Sequence, residues 1–189
     1  MGKSSKVDER EEEFEADDAA PDTHIVFLYG IIDEERCEEI AIAMIAGAYT
    51  ENSTIKFVIS SCGGQATEMF SIYDVMRNVR QDIDISTIGL GKVMSAGVLL
   101  LAAGSKGKRK IGKHCKLMIH NISSVMEGDI SDLKNDVIEL ERIEKLYIKA
   151  LAAETNMSKK YIKKLFDQKV DIYLTAEEAV ELGIVDEVI

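Results

Sequence analysis

The stretch IKFVISSCGGQATEMFSIYDVMRNV, residues 55–79, carries two periodicities joined by a glycine pair. Its opening run, Ile55 to Ile59, is β-branched and aromatic and reads as a strand. Met69, Ile72, Tyr73, Met76 and Val79 then recur at helical spacing, so one face of the following helix is apolar. Between them Ser60-Ser61-Cys62 leads into Gly63-Gly64, a tight strand-to-helix turn whose backbone can also approach a ligand closely. The same pattern extends to both sides. Residues 25–29 and 83–88 are further strand-like runs, and Asp33 can cap a helix in which Cys37, Ile40, Ala41, Met44 and Ile45 share a face. Strand and helix alternating in this way predict an α/β fold with a mainly parallel sheet.

Toward the C-terminus helical patterns dominate. Leu133, Val137, Leu140, Ile143, Tyr147 and Leu151 form an apolar stripe in the longest helix, which Asp129 or Ser131 can start. Ser158 can cap a short helix through Phe166. Thr175-Ala-Glu-Glu178 is a capping box for another helix, stopped by Gly183 before a last strand over residues 184–188.

The composition fits one soluble domain: 189 residues, 46% hydrophobic, 30% charged, with one Pro and no Trp. A net charge of −11 argues against a general nucleic-acid or anionic-membrane binder. Residues 1–20 hold eight acidic and three basic residues, with Val7 and Phe14 the only sizeable apolar groups. Such a segment cannot recover its ordering entropy, so a flexible acidic tail over residues 1–22 is expected ahead of one domain, residues 23–189. The longest apolar run, residues 98–103, is far short of the ~20 residues of a membrane span, and no secretory pattern opens the chain. Cys37, Cys62 and Cys115, odd in number and unrelated in spacing, suit a reducing compartment, and the cytoplasm is expected.

Several residues are candidates for chemistry, each with a plainer reading beside it. Ser95 stands between a strand-like run and the small apolar helix of residues 96–103; it reads as an N-cap or as a nucleophile at a helix N-terminus. His120 ends the run Lys116-Leu-Met-Ile-His120, at the C-terminal edge where open α/β folds gather their sites. It can be a general base, a hydrogen-bonded core histidine or a metal ligand. The spacings of the His and Cys residues argue against a zinc site, and no metal is expected. Cys62 offers a thiol with no base placed beside it, and Asp171 either starts a turn or holds an imidazole. Residues 107–114 match the phosphate-loop spacing but put His where Ser or Thr should stand, and they lead into a strand, which argues against nucleotide binding. The six basic residues within positions 106–116 read as a solvated strand edge.

Taken together, Gly63-Gly64, GKVMSAG (residues 91–97), AGSKGKR (103–109), Met118-Ile-His120 and LTAEEAVELGIVD (174–186) resemble, in order and spacing, the ClpP family, the proteolytic subunit of the Clp protease. The resemblance runs from about Ile25 to the end. It implies a ClpP/crotonase-like superhelical β-β-α architecture, with a protruding handle formed by the long helix. It also implies a serine endopeptidase with Ser95 as nucleophile, His120 as base, Asp171 as third member, and the N–H groups of Gly64 and Ala96 as oxyanion hole, without metal or cofactor. By the same resemblance the partners are further copies of the chain, in a seven-membered ring or two stacked rings, an AAA+ unfoldase, and unfolded protein or peptide substrate. Cys62 stands where the family has proline, Val93-Met94 where it has two alanines, and Asn121 to Ser124 where it has Gln-Pro and a glycine pair. Val170 replaces an arginine expected at the facing ring, and the family's N-terminal segment is not recognisable before Asp22. These departures keep open a regulatory or catalytically weak ring subunit and a dedicated processing protease of narrow substrate range.

Overall fold

Each of the three strand runs extends beyond its apolar centre in a computed structural model that describes residues 21–189. Residues 1–20 of the expected acidic tail lie outside the described residues, and Asp22 already stands in the first strand. The elements are β1 (Asp22–Ile32), α1 (Glu34–Ala48), β2 (Ser53–Gly64), α2 (Ala66–Val79), β3 (Ile85–Met94), α3 (Ala96–Ala102), β4 (Arg109–Ile111), β5 (Lys116–Ile119), α4 (Ile130–Glu154), α5 (Lys159–Phe166), β6 (Ile172–Leu174), α6 (Ala176–Glu181) and β7 (Glu187–Val188).

The strands form one mixed sheet in the order β1-β2-β3-β4-β7, with every neighbouring pair parallel. Helical crossovers between β1, β2 and β3 are what parallel pairing requires. Beyond its contact with β4, β3 pairs in parallel with β5, which carries β6 antiparallel. The fold is thus α/β with a mainly parallel sheet, as the periodicities indicated. Phe57, Leu28, Ile59, Met69, Ile72 and Met76 are among the fully buried side chains beneath the first helices. Each such residue contributes about 1.5–3 kcal/mol on burial.

The structure corrects four local expectations. The strand-like run expected over residues 83–88 instead spans Ile85–Met94, because Lys92, Val93 and Met94 find ladder partners in Lys116, Leu117 and Met118. The basic stretch is no sheet edge: β4 lies between β3 and β7. Arg109 is buried against Asp186, while Lys108 pairs with Asp84 and Lys110 with Glu187. Of the final apolar run only Glu187 and Val188 pair with β4, since the N–H groups of Ile184 and Val185 turn back to the Ala179 carbonyl. On α1 the inward face holds Cys37, Ile40 and Met44, but Ile45 is exposed.

Capping follows the sequence closely. Asp33 accepts from the Arg36 N–H at 3.0 Å, Asp129 from those of Ser131 and Asp132, and Ser158 from that of Tyr161. Thr175 and Glu178 form the reciprocal capping box. Helix α4 packs through Tyr147, Ile148, Ala150 and Leu151 near its C-terminal end, whereas Val137 and Ile138 are exposed. Its first turns therefore run out from the core.

Candidate active site

Ser95 occupies the junction of β3 and α3 with φ 53° and ψ −123°, a left-handed conformation rare for a residue with a side chain. It stands at the N-cap position, yet its side chain makes no capping bond. The plain capping reading is therefore overturned. Oγ instead lies 2.7 Å from Nε2 of His120. The backbone is pinned on both sides: the Ser95 N–H donates to the Met118 carbonyl at 2.8 Å, and the Ser95 carbonyl accepts from the Val98 N–H at 3.0 Å.

The sheet explains this meeting. Parallel pairing sets Met94 beside Met118, so the residues just beyond each strand emerge at the same C-terminal edge. Antiparallel pairing of β5 with β6 sets Ile119 opposite Ile172, which carries His120 and Asp171 to facing positions. Asp171 Oδ1 is 3.9 Å from His120 Nδ1, too far for a hydrogen bond, and its side chain is 52% exposed. The three residues singled out from sequence are thus gathered in one place, with one link tight and the other open.

The glycine pair closes the third side. Gly63 has φ +92°, and a Cβ there would fall 2.7 Å from the Ser95 Cβ and 3.2 Å from the Ala96 nitrogen. A Cβ on Gly64 would lie 2.1 Å from the Ile32 carbonyl oxygen. No side chain fits at either position: Gly63 brings main chain directly against Ser95 and Ala96, and Gly64 brings it against Ile32 of β1. Ser61, fully buried, holds this turn: its Oγ donates to the Gly30 carbonyl at 2.7 Å and accepts from the Gly63 N–H at 3.0 Å. Cys62 is exposed.

These groups border a cleft of about 590 Å³ whose lining includes Ser95, Ala96, His120 and Gly64. Ile31, Met69, Ile122, Leu140 and Ile143 make much of its wall apolar, and Asn121, Ser123 and Ser124 add polar groups. Two residues were not singled out from sequence for roles here. Ser61 sits in a serine pair that could equally have been turn, and Tyr147 looked like one more member of the α4 stripe. Tyr147 lines the cleft and its hydroxyl donates to the Ser95 carbonyl at 3.0 Å. Burial pushes that phenol's pKa far above its ordinary range, so it remains a neutral donor.

A hydroxyl hydrogen-bonded to an imidazole at the wall of a cleft can serve nucleophilic acyl transfer. A family model described as Clp protease matches residues 9–189 of the chain. The chain belongs to the Clp protease family. The match begins within the acidic segment, earlier than the motifs alone reached. ATP-dependent Clp protease proteolytic subunit 2 of Corynebacterium jeikeium is 37% identical over 166 residues, covering 87% of this chain and 78% of that relative. Subunit 1 of Corynebacterium glutamicum is 36% identical over the same length and shares. Subunit 2 of Mycobacterium bovis is 37% identical over 168 residues, covering 87% of this chain and 77% of that relative. As a member of the Clp protease family the chain is a serine-type peptidase, a hydrolase, and its mixed α/β architecture agrees with that family. No helix among the described residues is long and apolar enough to cross a membrane.

Proposed function

We propose that the chain hydrolyses peptide bonds of unfolded polypeptides or peptides with Ser95 as nucleophile, His120 as general base and Asp171 as the carboxylate that stabilises the imidazolium. The 2.7 Å bond between Ser95 Oγ and His120 Nε2, at a serine of positive φ, carries the reading. His120 takes the proton as Oγ attacks the carbonyl, and the N–H groups of Gly64 and Ala96 receive the developing oxyanion. His120 then returns the proton to the leaving amine, and water hydrolyses the acyl-enzyme by the same route. No metal or cofactor enters the cycle.

The chain works as a homo-oligomer, a seven-membered ring or a stacked pair enclosing the active sites, fed by an AAA+ unfoldase of the Clp kind. Ile25, Phe27 and Tyr29 support assembly: they lie in the outward row of β1, apart from the cleft, and are each 53–54% exposed. The free thiols of Cys37, Cys62 and Cys115 suit a cytoplasmic setting.

A fluorophosphonate is expected to label the protein at Ser95, and Ser95→Ala and His120→Ala to abolish peptide cleavage while the fold is kept. Labelling weakens on acidification, because only neutral imidazole accepts the proton. Assembled wild-type protein that neither labels nor cleaves any member of a broad peptide library would refute the enzyme reading. The 3.9 Å gap to Asp171 favours a second reading, a catalytically weak ring subunit. Mixing with a separately active Clp subunit and weighing the complex separates the two, since strict self-assembly with full intrinsic activity excludes the second.

A further inference from the structure

Ser95 keeps its unusual backbone through contacts to two different parts of the molecule. One is the sheet, through Met118; the other is α4, through Tyr147. With the Val98 N–H at 3.0 Å and the Tyr147 hydroxyl at 3.0 Å, both lone pairs of the Ser95 carbonyl oxygen are engaged. Tyr147 is itself held tightly. It is fully enclosed, and its ring stacks on Phe166 with centroids 5.8 Å apart and planes 6° from parallel. Phe166 ends α5, whose chain continues through Lys169, at φ 55°, to Asp171. One side chain thus touches the nucleophile's own carbonyl and the helix that leads to the carboxylate.

We propose that Tyr147 is a positioning residue for the peptidase reaction: its hydroxyl holds the Ser95 peptide in the conformation that aims Oγ at His120. This rests on the reading of Ser95 and His120 given above. The bond is made to main chain and not to the space a substrate occupies, so it acts on the rate of attack and not on substrate binding. It also makes α4 a determinant of nucleophile geometry.

Tyr147→Phe deletes the hydroxyl and keeps the stacked ring. A hydrogen bond of this kind contributes on the order of one factor of ten in an equilibrium. Tyr147→Phe is accordingly expected to lower kcat for a short peptide about tenfold, leave KM within about twofold, and lower the second-order rate constant of fluorophosphonate labelling about tenfold. Ile148→Val, on the same helix but without this bond, serves as the stability control and labels at the wild-type rate.

The rate constant and the labelled fraction are read separately. A fall in the labelled fraction at an unchanged rate constant marks a purely structural tyrosine and overturns the proposal. So does a rate constant equal to wild type. If Tyr147→Phe does not assemble, wild-type protein carrying 3-fluorotyrosine, a stronger hydrogen-bond donor, is labelled instead, at a pH where its phenol stays protonated. Its rate constant must then differ from that of ordinary protein. Wild-type protein that does not label at all refutes the reading of Ser95 and His120, whereas reactive wild type with an equally reactive Tyr147→Phe refutes only the role of Tyr147.

Discussion

A serine at φ 53° has left the region its side chain prefers, and such conformations cost on the order of 1–3 kcal/mol. They persist only where neighbouring bonds hold them, and here Met118, Val98 and Tyr147 do so. The reward is an Oγ directed away from the helix it would otherwise cap and toward an imidazole. Asp171 is less constrained. A buried triad carboxylate replaced by its amide lowers kcat about 10⁴-fold. Asp171 is half-exposed and 3.9 Å away, where water weakens its attraction for an imidazolium. Asp171→Asn is therefore expected to lower kcat by roughly 10- to 10³-fold, less than the loss in Ser95→Ala, as measured by peptide hydrolysis with the fold checked by circular dichroism. Ser95, His120 and Asp171 were legible as a set only through motif order. Taken singly, each had a commoner use as a cap, a core histidine or a turn residue.

Among the helices, the C-terminal end of α4 is fastened to α2 by charge. Glu154, with a side chain only 3% exposed, accepts from both terminal nitrogens of Arg80 at 3.1 Å and from the Tyr73 hydroxyl at 2.9 Å. Arg80 also donates to the carbonyls of Ala103 and Gly104, which ties in the end of α3. Burial opposes ionisation of Glu154, but the bonds and charge of Arg80, helped by Tyr73 and Lys106, outweigh it, and its pKa lies below the ordinary 4.5. A carboxylate with a depressed folded-state pKa stabilises the protein above its unfolded-state value and loses that contribution as pH falls through the folded one. Removing one partner of such a pair costs about 3–5 kcal/mol. Glu154→Ala is expected at the lower end, about 3 kcal/mol at pH 7 by denaturant unfolding, because Arg80 can partly rehydrate. The difference from wild type should shrink as pH drops below 4.5, since protonation then removes the same charge from the wild type. None of this network was legible beforehand. Tyr73 read as an apolar position of α2, and Arg80 and Glu154 showed no pattern that joined them.

At the scale of the molecule, the sheet ends in β1, whose alternation sends Val26 and Leu28 inward and Ile25, Phe27, Tyr29 and Ile31 outward. A half-buried strand is expected to place polar residues on the outer face. Three of these, Ile25, Phe27 and Tyr29, stand apart from the cleft that Ile31 lines and leave an apolar surface open to another molecule. Phe27→Glu puts a charge in the middle of the row. Native mass measurement is expected to show a smaller assembly for Phe27→Glu than for wild type, with unchanged circular dichroism; an assembly of wild-type mass would show that the row lies outside the contacts between copies. The first turns of α4, with Val137 and Ile138 exposed, have the same unfinished character. Periodicity alone gave no hint of it, because an apolar stripe looks alike whether its own chain or another molecule covers it.

By itself the sequence determined the alternation of strands and helices, the caps at Asp33, Ser158 and Thr175, and the class of fold, because these depend on neighbours a few residues apart. It also named Ser95, His120 and Asp171, through the order of short motifs. Only the tertiary structure decided that the Ser95 hydroxyl meets His120 instead of capping α3, that Arg109 is buried against Asp186, and that Tyr147 reaches the Ser95 carbonyl. Each of these joins residues far apart in the chain whose separation is set by strand register and helix packing. Such distances arise when the layers close on one another, and no local propensity encodes them.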